Sequence, residues 1–150
     1  MSGLLATYEW GTLPWRKLEV AVFKLQKRIY KASQARDPRR VHQLQRLLLK
    51  SRAAKLLAVR RVTQDNRGKH TAGVDGIKSL TPQQRLITAA HLEALPTGKP
   101  ARRRWIPQPG KDEQRPLSIP TLYDRARQAL VKQAMEPEGE AKFEPNSYGF

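Results

Sequence analysis

Cysteine is absent from this chain of 150 residues. Disulfides and thiolate metal sites are thereby excluded, in keeping with a reducing compartment. Long apolar runs are missing as well: none approaches the ~18 residues of a membrane-spanning helix. Residues 1–15 show no basic segment followed by an apolar block, so no secretory signal is read there. The three histidines, His42, His70 and His91, stand 28 and 21 residues apart, without zinc-ligand spacing. Patterns of the GxSxG, HExxH and GxxxxGK(S/T) types are lacking, which leaves no basis for a serine hydrolase, a zinc peptidase or a P-loop.

Acid is scarce. Against 29 Lys and Arg stand 13 Asp and Glu, a formal net charge of +16. That excess points to a polyanion, with nucleic acid ahead of an anionic membrane surface. The charge is also uneven. Residues 16–69 carry 17 Lys and Arg against only Glu19, Asp37 and Asp65, a net +14. A solvated helix face usually mixes both signs. A face of one sign repels itself, and a bound polyanion relieves that repulsion.

The apolar spacing is mostly helical. Trp15, Leu18, Val22, Leu25 and Ile29 predict a helix beginning near Pro14, a good first-turn residue. Asp37-Pro38 reads as an N-cap with proline behind it, opening a helix to about Lys50 with Val41, Leu44, Leu47 and Leu48 inward. Ser51 caps a third helix through Ala53, Ala54, Leu57, Ala58 and Val62, or the second and third helices run on as one. Residues 66–76 form a loop, with three glycines among them. Thr81-Pro82 restarts a helix through Leu86, Ile87, Ala90 and Leu95. Thr121 caps the last helix, which Met135-Glu-Pro137 is expected to end.

Between the last two helices, Trp105-Ile106 and Leu117-Ser-Ile119 flank a polar turn containing Gly110. Pro107, Pro109, Pro116 and Pro120 punctuate the stretch. Proline is kept out of central strands, so Arg102 to Ile119 reads as an edge hairpin with Lys111 and Arg115 at and just after its tip.

Several blocks, in order, resemble the amino-terminal part of group II intron reverse transcriptases (maturases). Leu25-Gln-Lys-Arg-Ile29, Leu44-Gln-Arg-Leu-Leu48 and Leu57-Ala-Val-Arg-Arg-Val-Thr63 are similar to that family's amino-terminal extension. Asn66, Gly68, Lys69, Thr71 and Gly73-Val-Asp-Gly76 match its Asn-x-Gly-x-x-Thr-x-Gly-Val-Asp-Gly block. Arg115-Pro-Leu-Ser-Ile-Pro120, with Asp124, Arg125 and Gln128, matches a second block. Ser147-Tyr-Gly-Phe150 matches the opening of a third. Two positions depart from the pattern: Gln108 stands where the family usually has Lys, and Ser118 where it has Gly.

The resemblance implies an α+β, mostly helical fold. Basic amino-terminal helices are followed by a fingers-type β-hairpin and a helix of a right-hand reverse transcriptase, truncated before the palm. It implies a basic RNA-binding extension over residues 1–66 and a partial fingers region over 67–150. Candidate RNA contacts are Lys24, Lys27, Arg28, Lys31, Arg39, Arg40, Arg46, Lys50, Lys55, Arg60, Arg61 and Lys69. Candidate nucleotide and template contacts are Lys111, Arg115 and Ile119. Arg115 has as its alternative an ion pair with Asp112 or Glu113, and Ile119 a place in the core. Asp124 reads as a cap or as a partner of Arg125 or Arg127.

The last aspartate is Asp124 and there is no Asp-Asp pair. Polymerase chemistry needs paired carboxylates holding two metals. No catalytic residue, metal ligand or cofactor is therefore assigned here, and the chain is expected to be inactive alone. Mg²⁺ belongs to the intact parent enzyme that the resemblance implies. The implied partners are group II intron RNA, template RNA and the DNA target, and the palm and thumb of the same polymerase, with no membrane. The implied setting is a bacterial cytoplasm, with an organelle as the second choice.

Two readings follow. In the first the chain binds intron RNA for splicing and retrohoming, and positions template and nucleotide for RNA-directed DNA synthesis. In the alternative it is a stand-alone basic helical nucleic-acid-binding module without enzymatic activity.

Overall fold

The computed structural model describes residues 9–65, 72–73, 76–92, 102–107, 110 and 114–143. A 3-10 turn, Trp10–Thr12, leads into helix α1, Trp15–Gln34, and helix α2, Pro38–Lys50. Helix α3, Arg52–Arg60, runs on into a π-helical turn, Arg61–Asp65. Helix α4 is Pro82–Ala90. Strands β1, Arg102–Pro107, and β2, Gln114–Ile119, precede helix α5, Leu122–Phe143.

The helix starts follow their capping residues. The Arg40 amide donates to Asp37 Oδ1 at 3.1 Å, and the Ala54 amide to Ser51 Oγ at 3.3 Å. Thr81 and Gln84 form a reciprocal capping box before α4. Between α1 and α2 the chain reverses sharply. Arg36 adopts φ +55°, its amide donates to the Ser33 carbonyl at 3.0 Å, and the Asp37 amide donates to the Ala32 carbonyl at 3.1 Å. That is a Schellman closure with arginine where glycine is usual.

The core joins both ends of the chain. Ile29 of α1, Val41 and Leu48 of α2, Val59 of α3, Leu92 after α4 and Leu130 of α5 are all buried in one cluster. Trp15, Leu18 and Leu25 pack against it, so the first apolar stripe faces inward as read. Leu47 does not: it is 51% exposed on the outer side of α2.

The last helix departs from expectation. It continues six residues past Pro137, which is buried inside it. Proline cannot donate to the carbonyl four residues back, that of Gln133. Gln26 Nε2 of α1 donates to that carbonyl instead, at 3.0 Å. Gln45 Nε2 of α2 reaches the Ala134 carbonyl at 3.1 Å, and Ser33 Oγ the Glu138 carbonyl at 3.2 Å. Neighbouring helices thus satisfy the backbone around the proline.

The fold class also needs correcting. The core of the described residues is built from helices and the turns beside them. The two strands pair antiparallel with each other, from Arg102 opposite Ile119 to Pro107 opposite Gln114, and form a two-stranded ribbon. Among the described residues no helix stacks on this ribbon, as an α+β domain requires. The fold of the described residues is helical with an appended ribbon, and nothing among them identifies a fingers element of a right hand.

The loop glycines have physical reasons. The Gly76 amide closes a turn onto the Gly73 carbonyl at 3.1 Å, and Gly76 has φ +76°. A Cβ on Gly73 would lie 2.7 Å from Thr121 Cα and 2.8 Å from the Pro120 carbonyl oxygen. Gly73 therefore lets this turn seat against the start of α5.

Two outcomes are expected. Gly73→Ala should lower stability by about 1–3 kcal/mol through that backbone clash, read as a lowered urea midpoint. Gly11→Ala, whose Cβ would meet nothing within 4 Å, serves as the control and should stay within about 0.5 kcal/mol.

The second concerns Glu138. The hydrogen bond from Gln45 at 2.9 Å, assisted by Lys142 at 3.1 Å, holds its carboxyl below the ordinary value of 4.5, against the opposing effect of burial. The fold favours the charged form. Its contribution is present above the ordinary value and lost as pH falls through the lowered one. Urea midpoints should fall on acidification from about pH 7 to about pH 3, and Glu138→Gln should remove part of that fall.

Candidate nucleic-acid interface

On α1, Lys17, Lys24, Arg28 and Lys31 follow at spacings of seven, four and three, and all are exposed. At a rise of about 1.5 Å per residue, they span about 21 Å along one side of the helix. Lys27 lies beside them. On α2, Arg39, Arg46 and Lys50 share the face opposite Val41, Leu44 and Leu48, with Gln43 between them and Arg40 to one side. The same periodicity that turns the apolar residues inward turns these cations outward.

None of Lys24, Lys27, Arg28, Lys31, Arg39, Arg40, Arg46 or Lys50 forms an ion pair with another described residue. Each presents its charge to solvent. Arg16, Lys17 and Arg36 are exposed cations of the same surface that the candidate set omitted. Their signal was in the sequence, since Lys17 stands seven residues before Lys24.

The remaining candidates are placed differently. Arg61 is exposed in the π-turn, and Lys55 is half-buried on α3. Arg60 is engaged with the protein. Its guanidinium lies 3.3 Å from Glu19 Oε1 and 3.8 Å from Asp65 Oδ2, and 4.9 Å from the centre of the Trp15 ring. Trp15 in turn meets Trp10 edge-on at 4.7 Å and donates from its indole to the Trp10 carbonyl at 3.2 Å. Arg60 thus fastens the start of α1 to the end of α3. Lys69 and Lys111 fall outside the described residues. Arg115 and Ile119 lie in β2, opposite Ile106 and Arg102.

At the head of α5, Asp124 and Arg127 form a buried ion pair at 3.3 Å. The Asp124 amide is capped by Thr121 Oγ at 3.1 Å, and Arg125 Nε donates to the Pro120 carbonyl at 3.0 Å. Asp124 is therefore a structural partner of Arg127. Among the described residues no group of three or more His, Cys, Asp or Glu is placed to hold a metal ion. No helix of the described residues is long and apolar enough to cross a membrane.

Residues 10–92 match the family described as the N-terminal domain of reverse transcriptase. The chain is 35% identical over 144 residues to maturase-like protein 1 of Euglena gracilis, covering 91% of this chain and 30% of that protein. It is 38% identical over 127 residues to protein YkfC of Escherichia coli strain K12, covering 77% and 32%. It is 31% identical over 148 residues to maturase-like protein 1 of Euglena longa, covering 93% and 31%. The chain spans about a third of the length of these relatives.

The geometry separates two neighbouring arginines. Arg60→Ala should lower stability by about 1 kcal/mol, because it removes a partly screened ion pair and an aromatic contact. Arg61→Ala, exposed and in no ion pair with a described residue, should change it by less than about 0.5 kcal/mol. Thermal unfolding of both variants checks this.

Proposed function

The chain belongs to the family of reverse-transcriptase N-terminal domains, and from that premise we propose that it is a non-catalytic module binding nucleic acid through the outer faces of α1 and α2. One observation carries the reading. A single-sign array of exposed cations, in no ion pair with a described residue, lies along two helices whose other faces are buried. Such an array suits phosphates, which are evenly spaced and carry one sign. Lysine and arginine at helical spacing contact backbone oxygens without reading bases, so this face supplies affinity and placement rather than sequence choice.

The finer reading names the polyanion. The resemblance to group II intron reverse transcriptases, with two relatives called maturase-like, supports structured intron RNA as the target, bound for splicing and retrohoming. The part of Lys111, Arg115 and Ile119 in positioning template and nucleotide rests on the resemblance alone. So does the part of Lys55 and Lys69 in binding RNA. Arg60 is set apart, since its charge is already taken by Glu19 and Asp65.

Equilibrium binding to RNA across a salt series tests the proposal. The logarithm of affinity should fall steeply with the logarithm of salt, by about 0.7 per neutralised phosphate on single strands. The combined variant Lys24→Gln, Arg28→Gln, Lys31→Gln should lower that slope by about 2 while the fold stays intact by circular dichroism. An unchanged slope would remove α1 as the binding face. Structured intron RNA should outcompete random RNA of equal length. Equal competition would leave a general nucleic-acid module and sink the intron-specific reading.

A further inference from the structure

Two arginines flank the paired tryptophans at the amino end of α1. Arg60 Cζ lies 4.9 Å from the centre of the Trp15 ring, and Arg85 Cζ of α4 lies 5.6 Å from that of Trp10. The two rings meet edge-on at 4.7 Å, which makes one row: Arg60, Trp15, Trp10, Arg85. Trp10 is buried and held by a bond of its own, its indole Nε1 donating to Gln64 Oε1 at 2.7 Å.

The two ends of the row differ. Arg60 has Glu19 and Asp65 as counter-ions, at 3.3 Å and 3.8 Å. Arg85 is half-buried and forms no ion pair with a described residue. Its Nε is enclosed and meets no hydrogen-bond acceptor, while its terminal nitrogens are not among the enclosed atoms. No Asp or Glu occurs between Asp75 and Glu93, so α4 supplies no counter-ion either. An enclosed guanidinium without a counter-ion carries a desolvation cost, and the attraction of one ring offsets only part of it. The open end of the row lacks an anion.

We propose that Arg85 takes a backbone phosphate of the bound RNA. This rests on the nucleic-acid reading above and adds to it a contact on α4, outside the two basic helices. Stacking on Trp10 fixes the guanidinium plane, so the fork loses little freedom when it binds. Its paired donors suit two oxygens of one phosphate. The place also fits. Trp10 abuts Trp15, the first residue of α1, and Lys17, where the basic stripe begins, follows two residues later. RNA lying along the stripe from Lys31 to Lys17 therefore comes to the end of α1 at which Arg85 stands.

The test uses the full chain and Arg85→Met, which keeps an unbranched stem over Trp10 and removes the charge. Affinity for RNA should fall about tenfold at low salt. The log–log salt slope should fall by about 0.7, the share of one phosphate on a single strand. The urea midpoint of the free protein should hold or rise, since an unpaired cation is removed. Saturating RNA should then raise that midpoint less in the variant than in the parent. Arg85→Lys, which keeps the charge without the fork, should retain the slope and bind more weakly. An unchanged affinity and slope in Arg85→Met would overturn the proposal and leave the anion to a protein carboxylate. Should Arg85→Met fail to fold, Arg85→Lys decides, and parental affinity there would overturn the fork contact. The variant Lys24→Gln, Arg28→Gln, Lys31→Gln separates the two readings. A slope lowered there but not in Arg85→Met removes the Arg85 contact alone. A slope lowered in neither removes the nucleic-acid reading as well.

Discussion

The fold depends on how α5 is seated against the amino-terminal helices, and that seating depends on one carbonyl. Pro137 strips the Gln133 carbonyl of its helical partner in the middle of a buried helix. Left unpaired in the interior, such a group costs about 1–3 kcal/mol. Gln26 fills the vacancy from α1, 107 residues away in the chain. Gln45 and Ser33 add bonds within the same turn, and Gln133 returns one to the Ala54 carbonyl of α3 at 3.3 Å. Three helices are keyed to one register on the fourth. The proline makes the site directional, because the missing donor must come from one place.

This arrangement decides where the charge goes. Uncharged glutamines and a serine provide the polar contacts between helices, so most of the cations of α1 and α2 are left for the outside. The exceptions have structural duties. Arg60 joins Glu19, Asp65 and Trp15, and Arg127 is buried against Asp124. Self-repulsion on the outer face is then a standing cost that the packed core must offset, and phosphate contact removes it. A module built in this way holds its shape with neutral hydrogen bonds and keeps its charge for a partner.

Much of the helical architecture was legible in the chain. The caps at Asp37, Ser51, Thr81 and Thr121 act within four residues, so local chemistry places the helix starts. The inward stripe of α1 and the outward cations of α2 follow from helical periodicity alone. The glycines of the Gly73–Gly76 turn marked a special backbone, although the reason at Gly73, contact with Pro120 and Thr121, lies 47 residues downstream. Three readings failed, the first because a distant element overrode a local rule. Pro137 reads as a helix end until Gln26 supplies the missing bond. Leu47 fits the inward pattern of α2 yet lies outside it. The two strands pair with each other as expected, but among the described residues they pair with nothing else, and the α+β class falls with that.

The sequence by itself determined the family, the helix starts and the concentration of positive charge, because each is written in residue identity or in short spacing. Only the tertiary structure decided which cations remain available and which are consumed. Arg60 and Arg61 are adjacent and chemically identical, and the nearby Asp65 stands within a helical turn or so of both. Glu19 and Trp15, brought against Arg60 by the packing of α1 on α3, make the difference. Nor could spacing alone show that Arg85 stacks on Trp10 with its Nε enclosed, since those residues meet only when α4 packs against the amino-terminal turn. Charge and periodicity are local properties; pairing and enclosure belong to the packed molecule.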